Sequence, residues 1–527
     1  MTYLDFDKTA VYGKLAALAE NYSFNYAKNL DAERVRKCLV PQGGGLNYSW
    51  AAKSLDDRVI ALLRELAAEQ ELIGKYKALL DGAIINTGEN RRVLHQLLRG
   101  QLGKAVIDGG KDLGLFYREQ TDRVAAFAGA VRAGTLRGAT GKRFSAAVQI
   151  GIGGSDLGPR ALYLALENWA RAEGRAQLRA AFISNVDPDD ASAVLARLPL
   201  EETLFVLVSK SGTTQETLAN ELFVKEKLRA AGLDPAKHVV AVTSETSPLA
   251  HNPAYLDSFY IDDFIGGRYS ASSAVGGVIL SLAFGPETFR EFLAGAHEAD
   301  ALALNPELLE NAALLDALIG VWERNFLRYP YTAILPYSQA LSRFPAHLQQ
   351  LDMESNGKRV NRDGAPLGYV TGPVVFGEPG TNGQHSFYQL LHQGTDIVPL
   401  QFLGFTESQA GDDVQVEGSS SQTKLLANLA AQIAAFARGQ RAEGPNLNRD
   451  FPGGRPSSLI YGRRLGPAAL GALLAHFENK VMFQGFVWNV NSFDQEGVQL
   501  GKILTKRVLQ GVSGDAALDA YAALLGI

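Results

Sequence analysis

Cysteine is almost missing from this chain: among 527 residues only Cys38 carries a thiol. No internal disulfide can form, which suits a reducing cytosol and places the protein in the cytoplasm. Long apolar runs are missing too, so nothing is expected to span a bilayer and no membrane partner is called for. The first ten residues hold Asp5 and Asp7 and no apolar stretch, so no secretory signal is expected. There is no block of like charge, and the net charge is −5, so nucleic acid is not an expected partner. Neither a G-x-x-x-x-G-K-[ST] loop nor an H-E-x-x-H pair occurs. Solenoid-like repeats and low-complexity linkers are absent as well. What remains is an ordinary globular composition, 46% hydrophobic and 20% charged. The length permits two or three domains, or one large composite body.

The chain is best organised around Phe205–Thr217. An apolar run through Val208 meets Ser209, Lys210, Ser211, Gly212, Thr213 and Thr214, then a helical pattern carrying Leu218, Leu222, Val224 and Leu228. A strand that feeds a helix through such a turn aims unpaired N–H groups and the helix dipole at one point, where an anion can sit. One hydroxyl suffices to cap a helix; four within six residues exceed that need and favour a phosphate cradle.

Residues 1–135 read mainly as helices packing on the larger lobe, with examples over 31–39, 56–68 and 91–98. Arg91, Arg92 and His95 are expected on a solvated or interdomain face of the last. From about 136 to 285 short apolar strands (146–150, 180–183, 204–208, 239–242) alternate with helices (158–170, 187–198, 213–231), which argues a doubly wound parallel sheet. Residues 286–510 return to helices and then form a second α/β unit, with strands near 331–336, 396–403 and 459–461. Residues 511–527 close the chain with a helix. The fold expected is α/β, with two doubly wound subdomains packed as one body. Ligands on such sheets lie beyond the C-terminal strand ends. Two of those ends carry Gly151-Ile152-Gly153-Gly154-Ser155 and Ser209–Thr214.

Several further stretches carry chemistry. Gly151-x-Gly153-x-x-Asp156 lacks the third glycine of a dinucleotide fingerprint, and Glu173, the acidic residue at about the right distance, precedes the next strand. A phosphate or sugar contact at Ser155 fits better, and a tight glycine turn remains the plain alternative. Gly266-Gly267-Arg268 puts a permanent cationic fork behind two glycines, suited either to developing negative charge or to a structural ion pair. Leu341, Phe344, Leu348 and Leu351 form an apolar helical stripe that Glu354 continues. Glu354 is either a carboxylate whose burial makes it a useful base or the outward-turning end of a helix closed by Asn356-Gly357. His385 follows a glycine-rich loop and could move protons near neutral pH; a buried structural histidine is the other reading. His392, seven residues on, belongs to no metal-ligand pattern, and no metal is expected. Between Gly485 and Lys502, the polar groups Asn489, Asn491, Asp494 and Gln495 interleave with Phe486, Trp488 and Phe493, as a sugar site would require, although Lys502 by itself reads as a solvated lysine.

Six ordered blocks over most of the chain are more specific than any of these: GIGGSDLGP (Gly151–Pro159), SKSGTTQET (Ser209–Thr217), GGRYS (Gly266–Ser270), MESNGK (Met353–Lys358), GTNGQHSFYQLLHQG (Gly380–Gly394) and FDQEGVQLGK (Phe493–Lys502). Together they resemble the glucose-6-phosphate isomerase (phosphoglucose isomerase) family. Ser211-Gly212 replaces the Thr-Phe of animal members, and Glu496 stands where many carry Trp; neither change removes a reactive group. The resemblance implies reversible aldose–ketose isomerisation of D-glucose 6-phosphate and D-fructose 6-phosphate without a cofactor, by a homodimer whose active sites are shared. It implies that Ser155, Ser209, Lys210 (through its backbone), Ser211 and Thr214 hold phosphate, within a cradle that includes Gly212 and Thr213. It implies further that Glu354 shuttles the proton between C2 and C1, that Arg268 faces the cis-enediolate, and that His385 opens the ring with Lys502 nearby. Gly154, Gln350 and Gln495 would position substrate. The residue types agree with that chemistry, which needs a base, a ring-oxygen proton carrier and a fixed positive charge. A non-catalytic sugar-phosphate sensor on the same fold would keep the cradle and be free to lose Glu354, His385 and Lys502. A nucleotide-dependent oxidoreductase is disfavoured by the incomplete glycine pattern.

Overall fold

The computed structural model describes residues 2–511 and 513–527. An early hairpin, β1 (Leu39–Gly43) and β2 (Leu46–Ser49), lies inside the stretch expected to be helical. Two further expectations there need correction. The helix over 31–39 stops at Lys37, because Leu39 opens β1. Residues 91–98 are no helix: Arg91–Arg92 pairs with Ile84–Asn86 as a short antiparallel ladder, and His95 is fully buried rather than solvated. Its ring packs against Tyr269 with centroids 4.5 Å apart. Polar composition alone hid the burial, since contacts distant in sequence create it. The helix expected over 56–68 forms as Asp57–Glu69, its first turn held by the Asp56 carboxylate, which accepts from the N–H groups of Arg58 and Val59.

The first sheet is wholly parallel. Its strands are β3 (Ala146–Ile150), β4 (Arg179–Ile183), β5 (Thr203–Val208), β6 (Val239–Ser244) and β7 (Ser258–Ile261), in spatial order β7-β6-β5-β3-β4. Every residue of β3 and β5 is buried, as continuous apolar strands covered on both faces by helices must be. The chain leaves β3 for β4 on one side and returns to β5 on the other, so the strand order switches between β3 and β5. A crevice opens where their C-terminal ends part. The Gly151–Ser155 turn and the Ser209–Thr214 turn leave those two ends.

The second sheet holds β8 (Tyr331–Tyr337), β9 (Val374–Phe376), β10 (Leu400–Phe405) and β11 (Ser457–Gly462), all parallel. Its order is β1-β2-β11-β10-β8-β9, with β2 antiparallel to β11. The N-terminal hairpin thus covers an edge of β11 that would otherwise be open. The helix Pro467–Val487 is buried around nearly its whole circumference, its charged residues Glu478 and Lys480 included, and those charges are paired with Arg99 and Asp316 as buried charges must be. It packs along Pro286–Leu302. Among the described residues, no helix is long and apolar enough to cross a membrane.

Candidate active site

The Ser209–Thr214 turn delivers the chain into the helix Gln215–Ala230. Thr214 takes the N-cap position, yet no side chain caps the helix. The buried Ser209 hydroxyl donates instead to Thr214 Oγ1 at 3.2 Å. Ser211 Oγ accepts from the backbone N–H of Thr213 at 3.2 Å and from its hydroxyl at 3.0 Å. The hydroxyls therefore engage one another and leave the helix N-terminus, with its partial positive charge, to an anion. Gly212 has φ +65°, and a Cβ there would lie 2.2 Å from Ser247 Oγ, so in this chain glycine makes the turn without strain. The Lys210 side chain donates to the carbonyl of Ile265 at 3.0 Å, and burial lowers its pKa. It ties the cradle to the Gly266-Gly267-Arg268 segment.

The other turn meets the same segment directly. A Cβ on Gly154 would lie 2.2 Å from the carbonyl carbon and oxygen of Gly267, so the two backbones touch where a side chain would force them apart. Ser155 ends this turn, and its carbonyl accepts from Gln149 Nε2 at 2.7 Å.

The apolar stripe of Leu341, Phe344, Leu348 and Leu351 is buried as expected. Beyond Gln349 the helix widens into one π-helical turn, Gln350–Glu354, a departure often found where a side chain must be re-aimed. It sets Gln350 Nε2 3.1 Å from Glu354 Oε2. The helix does end beside Asn356-Gly357, but Glu354 is not turned outward. Its Oε2 lies 3.3 Å from Arg268 Nη1. Arg268 is itself 2% exposed. Its Nε donates to Ser355 Oγ at 2.6 Å, and its Nη2 donates to the carbonyls of Ser492 at 2.5 Å and Asp494 at 2.9 Å. The two readings of Arg268, structural ion pair or charge poised for chemistry, thus meet in one contact, because its ionic partner is Glu354.

Gly154, Ser155, Arg268, Gln350 and Glu354 are gathered here, with the Ser209–Thr214 cradle joined through Lys210. His385, Gln495 and Lys502 are not. All three are exposed, and their side chains make no hydrogen bond or ion pair among the described residues. Gln495 directly follows Asp494, whose carbonyl meets Arg268, and Lys502 lies on the next helix, Gln499–Leu509. The aromatics expected to line a sugar site are core instead: Phe486, Trp488 and Phe493 are buried. Asn489 and Asn491 donate to Asp5 and Asn86. An interleaved pattern cannot distinguish a sugar platform from a helix end packed into the core. His392 Nε2 lies 2.9 Å from Gln432 Oε1, and its ring stacks on Phe436. Glu173 pairs with Arg464. Among the described residues, no group of His, Cys, Asp and Glu side chains could hold a metal ion. The sequence reading missed the partners of Arg268. Ser355 sits inside the MESNGK block, where adjacency to Glu354 was the available clue, but the carbonyls of Ser492 and Asp494 have no signature in residue type.

Two parallel-sheet lobes, an uncapped helix N-terminus at a strand-order switch and a nearby carboxylate–guanidinium pair fit an α/β protein of sugar-isomerase type. Comparison with known proteins narrows this class. The phosphoglucose isomerase family model matches residues 48–523, and the chain belongs to that family. A glucose-6-phosphate isomerase of Treponema pallidum is 59% identical over 100% of this chain and 99% of its own. One of Treponema denticola is 62% identical over 94% of this chain and 93% of its own. The crystal structure of a glucose-6-phosphate isomerase from Chlamydia trachomatis superposes with a TM-score of 0.93 at 43% identity, covering 99% of both chains.

Proposed function

We propose that the protein interconverts D-glucose 6-phosphate and D-fructose 6-phosphate, the aldose–ketose step shared by glycolysis and gluconeogenesis. The observation that carries the reading is the Glu354–Arg268 pair at 3.3 Å, joined by Lys210 to an uncapped helix N-terminus and by Gly154 to the Gly151–Ser155 turn. Phosphate binds at Ser155, Ser209, Lys210, Ser211, Gly212, Thr213 and Thr214, and that remote binding orients the reacting carbons. In the open-chain aldose, Glu354 removes the C2 proton as the carbonyl oxygen on C1 gains negative charge. The resulting cis-enediolate faces the Arg268 guanidinium, whose charge is fixed in place before the reaction begins. The hydroxyl proton on the C2 oxygen passes to the C1 oxygen, and Glu354 returns its proton to C1, so that C2 becomes the ketose carbonyl and C1 carries the hydroxyl. Each transfer at carbon is carboxylate chemistry. Gly154, Gln350 and Gln495 position the chain of hydroxyls.

Ring opening requires a proton carrier at the ring oxygen, and the reading gives that task to His385, with Lys502 beside it. Both are exposed in a single chain. We assign them to a homodimer in which each site takes His385 of the partner subunit. The helices Gln499–Leu509 and Ala516–Leu524 support this, since neither has a buried residue, and Leu500, Ile503, Leu509, Tyr521 and Leu524 are all exposed. An apolar surface of that extent marks an interaction site. The single buried thiol of Cys38 accords with the cytoplasm.

The test is a coupled assay supplied with fructose 6-phosphate as sole substrate. Glucose 6-phosphate should accumulate to an equilibrium mixture. Binding without turnover would identify a sensor, and turnover only with added nucleotide would identify an oxidoreductase.

A further inference from the structure

Arginine has five N–H hydrogens in a rigid fork, and the surroundings of Arg268 use them unequally. Nε and Nη2 are hydrogen-bonded to Ser355, Ser492 and Asp494. Nη1 makes no hydrogen bond among the described residues and faces Glu354. All three supports trace back to one short stretch, Ser355–Lys358. Ser355 Oγ, fully buried, takes Nε directly and also meets the Tyr269 hydroxyl at 3.0 Å. Burial pushes the Tyr269 phenol up to about 12, so that hydroxyl keeps its proton. Asn356 Oδ1 accepts from Ser492 Oγ at 2.6 Å while its Nδ2 donates to the Val481 carbonyl at 2.9 Å. Asn356 thereby anchors the residue whose carbonyl receives Nη2. Lys358 Nζ reaches the Asp494 carbonyl at 3.3 Å and pairs with the Asp494 carboxylate.

We infer that Ser355 is a positioning residue for the isomerisation: it locks Arg268 through Nε so that Nη1 alone is presented to Glu354 and to the negative charge forming between C1 and C2. The inference rests on the proposed role of Arg268. Because Ser355 directly follows Glu354, at the end of the π-helical turn, one backbone segment sets both the base and the fork that faces it. A guanidinium free to rotate would still be charged, but it would no longer be prepaid in orientation at the moment charge develops.

The experiment is a double-mutant cycle of Ser355→Ala with Arg268→Lys, since lysine has no Nε–H for Ser355 to hold. Ser355→Ala is expected to lower kcat roughly 10- to 100-fold, as losing a hydrogen bond to a charged group would. KM and inhibition by inorganic phosphate should stay within about twofold, because only transition-state stabilisation is lost. In the Arg268→Lys background the same change should cost nothing further. A merely structural serine would lower the melting temperature and add its loss in either background. Wild-type turnover in Ser355→Ala beside a crippled Arg268→Lys, or additive losses, would overturn the inference alone. Wild-type turnover in Arg268→Lys would reject the role of Arg268, and this inference with it. If Ser355→Ala does not fold, Tyr269→Phe removes a hydroxyl from the same contact. It should give a smaller fall in kcat with the same unchanged KM, and an unaltered kcat there would overturn the inference.

Discussion

At the scale of single residues, the site is a set of exclusions as much as contacts. Glu354 Oε2 has Gln350 and Arg268 as neighbours, so replacing it by the isosteric amide keeps the shape and removes the proton acceptor. Glu354→Gln is expected to lose roughly 10²-fold or more in kcat with little change in KM. Steady-state kinetics on the purified variant check this, and near-wild-type turnover would reject Glu354 as the base. The role proposed for the cradle hydroxyls is binding. Ser209→Ala or Thr214→Ala each breaks the hydroxyl pair between these two residues at the uncapped helix N-terminus. Either should weaken substrate and inorganic phosphate together, by about 1–3 kcal/mol for a lost hydrogen bond to charge. Phosphate inhibition identical to wild type would remove these residues from the anion site. Both groups were legible in sequence because hydroxyl density and an ionisable residue extending an apolar stripe are local properties. The partners of Arg268 were not, because backbone carbonyls carry no residue code.

At the scale of elements, the π-helical turn at Gln350–Glu354 does two things at once. It brings Gln350 and Glu354 to the crevice, and it drives Asp352 the other way into the interior, where Oδ1 has no hydrogen-bond partner. Burial raises the Asp352 carboxyl to about 6, with Lys480 only partly offsetting it and Asp316 adding to it. The folded protein therefore holds a proton there that the unfolded chain, with an aspartate pKa of about 3.9, gives up. The stability this protonated form contributes is complete below about pH 4 and is lost as the pH rises through 6. Asp352→Asn does not titrate, so it should match wild type at pH 4 and exceed it by on the order of 2 kcal/mol at pH 7.5. Urea unfolding at both pH values and fixed chain concentration measures the difference; one that does not change with pH would assign the burial cost elsewhere. A helical stripe in the sequence could forecast that Leu348 and Leu351 face inward. It could not forecast the extra residue per turn, because a π-turn leaves the hydrophobic pattern around it intact.

At the scale of the whole molecule, alternation of apolar strands and helices was enough to read parallel-sheet α/β units, since parallel strands buried on both faces require helices packed on each side. The hairpin Leu39–Ser49 was not readable, because its partner β11 lies some four hundred residues away in sequence and short half-buried strands look like loops. The same limit applies to the site. Glu354 and Arg268 meet within one chain, while His385 stands exposed at the end of the Asn382–His385 turn. A two-fold dimer that shares its sites would hold two identical composites, each joining Glu354 of one chain to His385 of the partner subunit. Complementation tests this. Homodimers of Glu354→Gln and of His385→Ala should each be nearly inactive. In a hybrid of the two, one site carries both lesions and the other carries neither. Random reassortment at equal amounts makes about half the dimers hybrid, each with one sound site of two, so activity should recover to roughly a quarter of wild type. If each site lay within one chain, every site in the mixture would retain a lesion. Hybrid dimers confirmed by native mass spectrometry but without recovered activity would show that His385 serves its own chain.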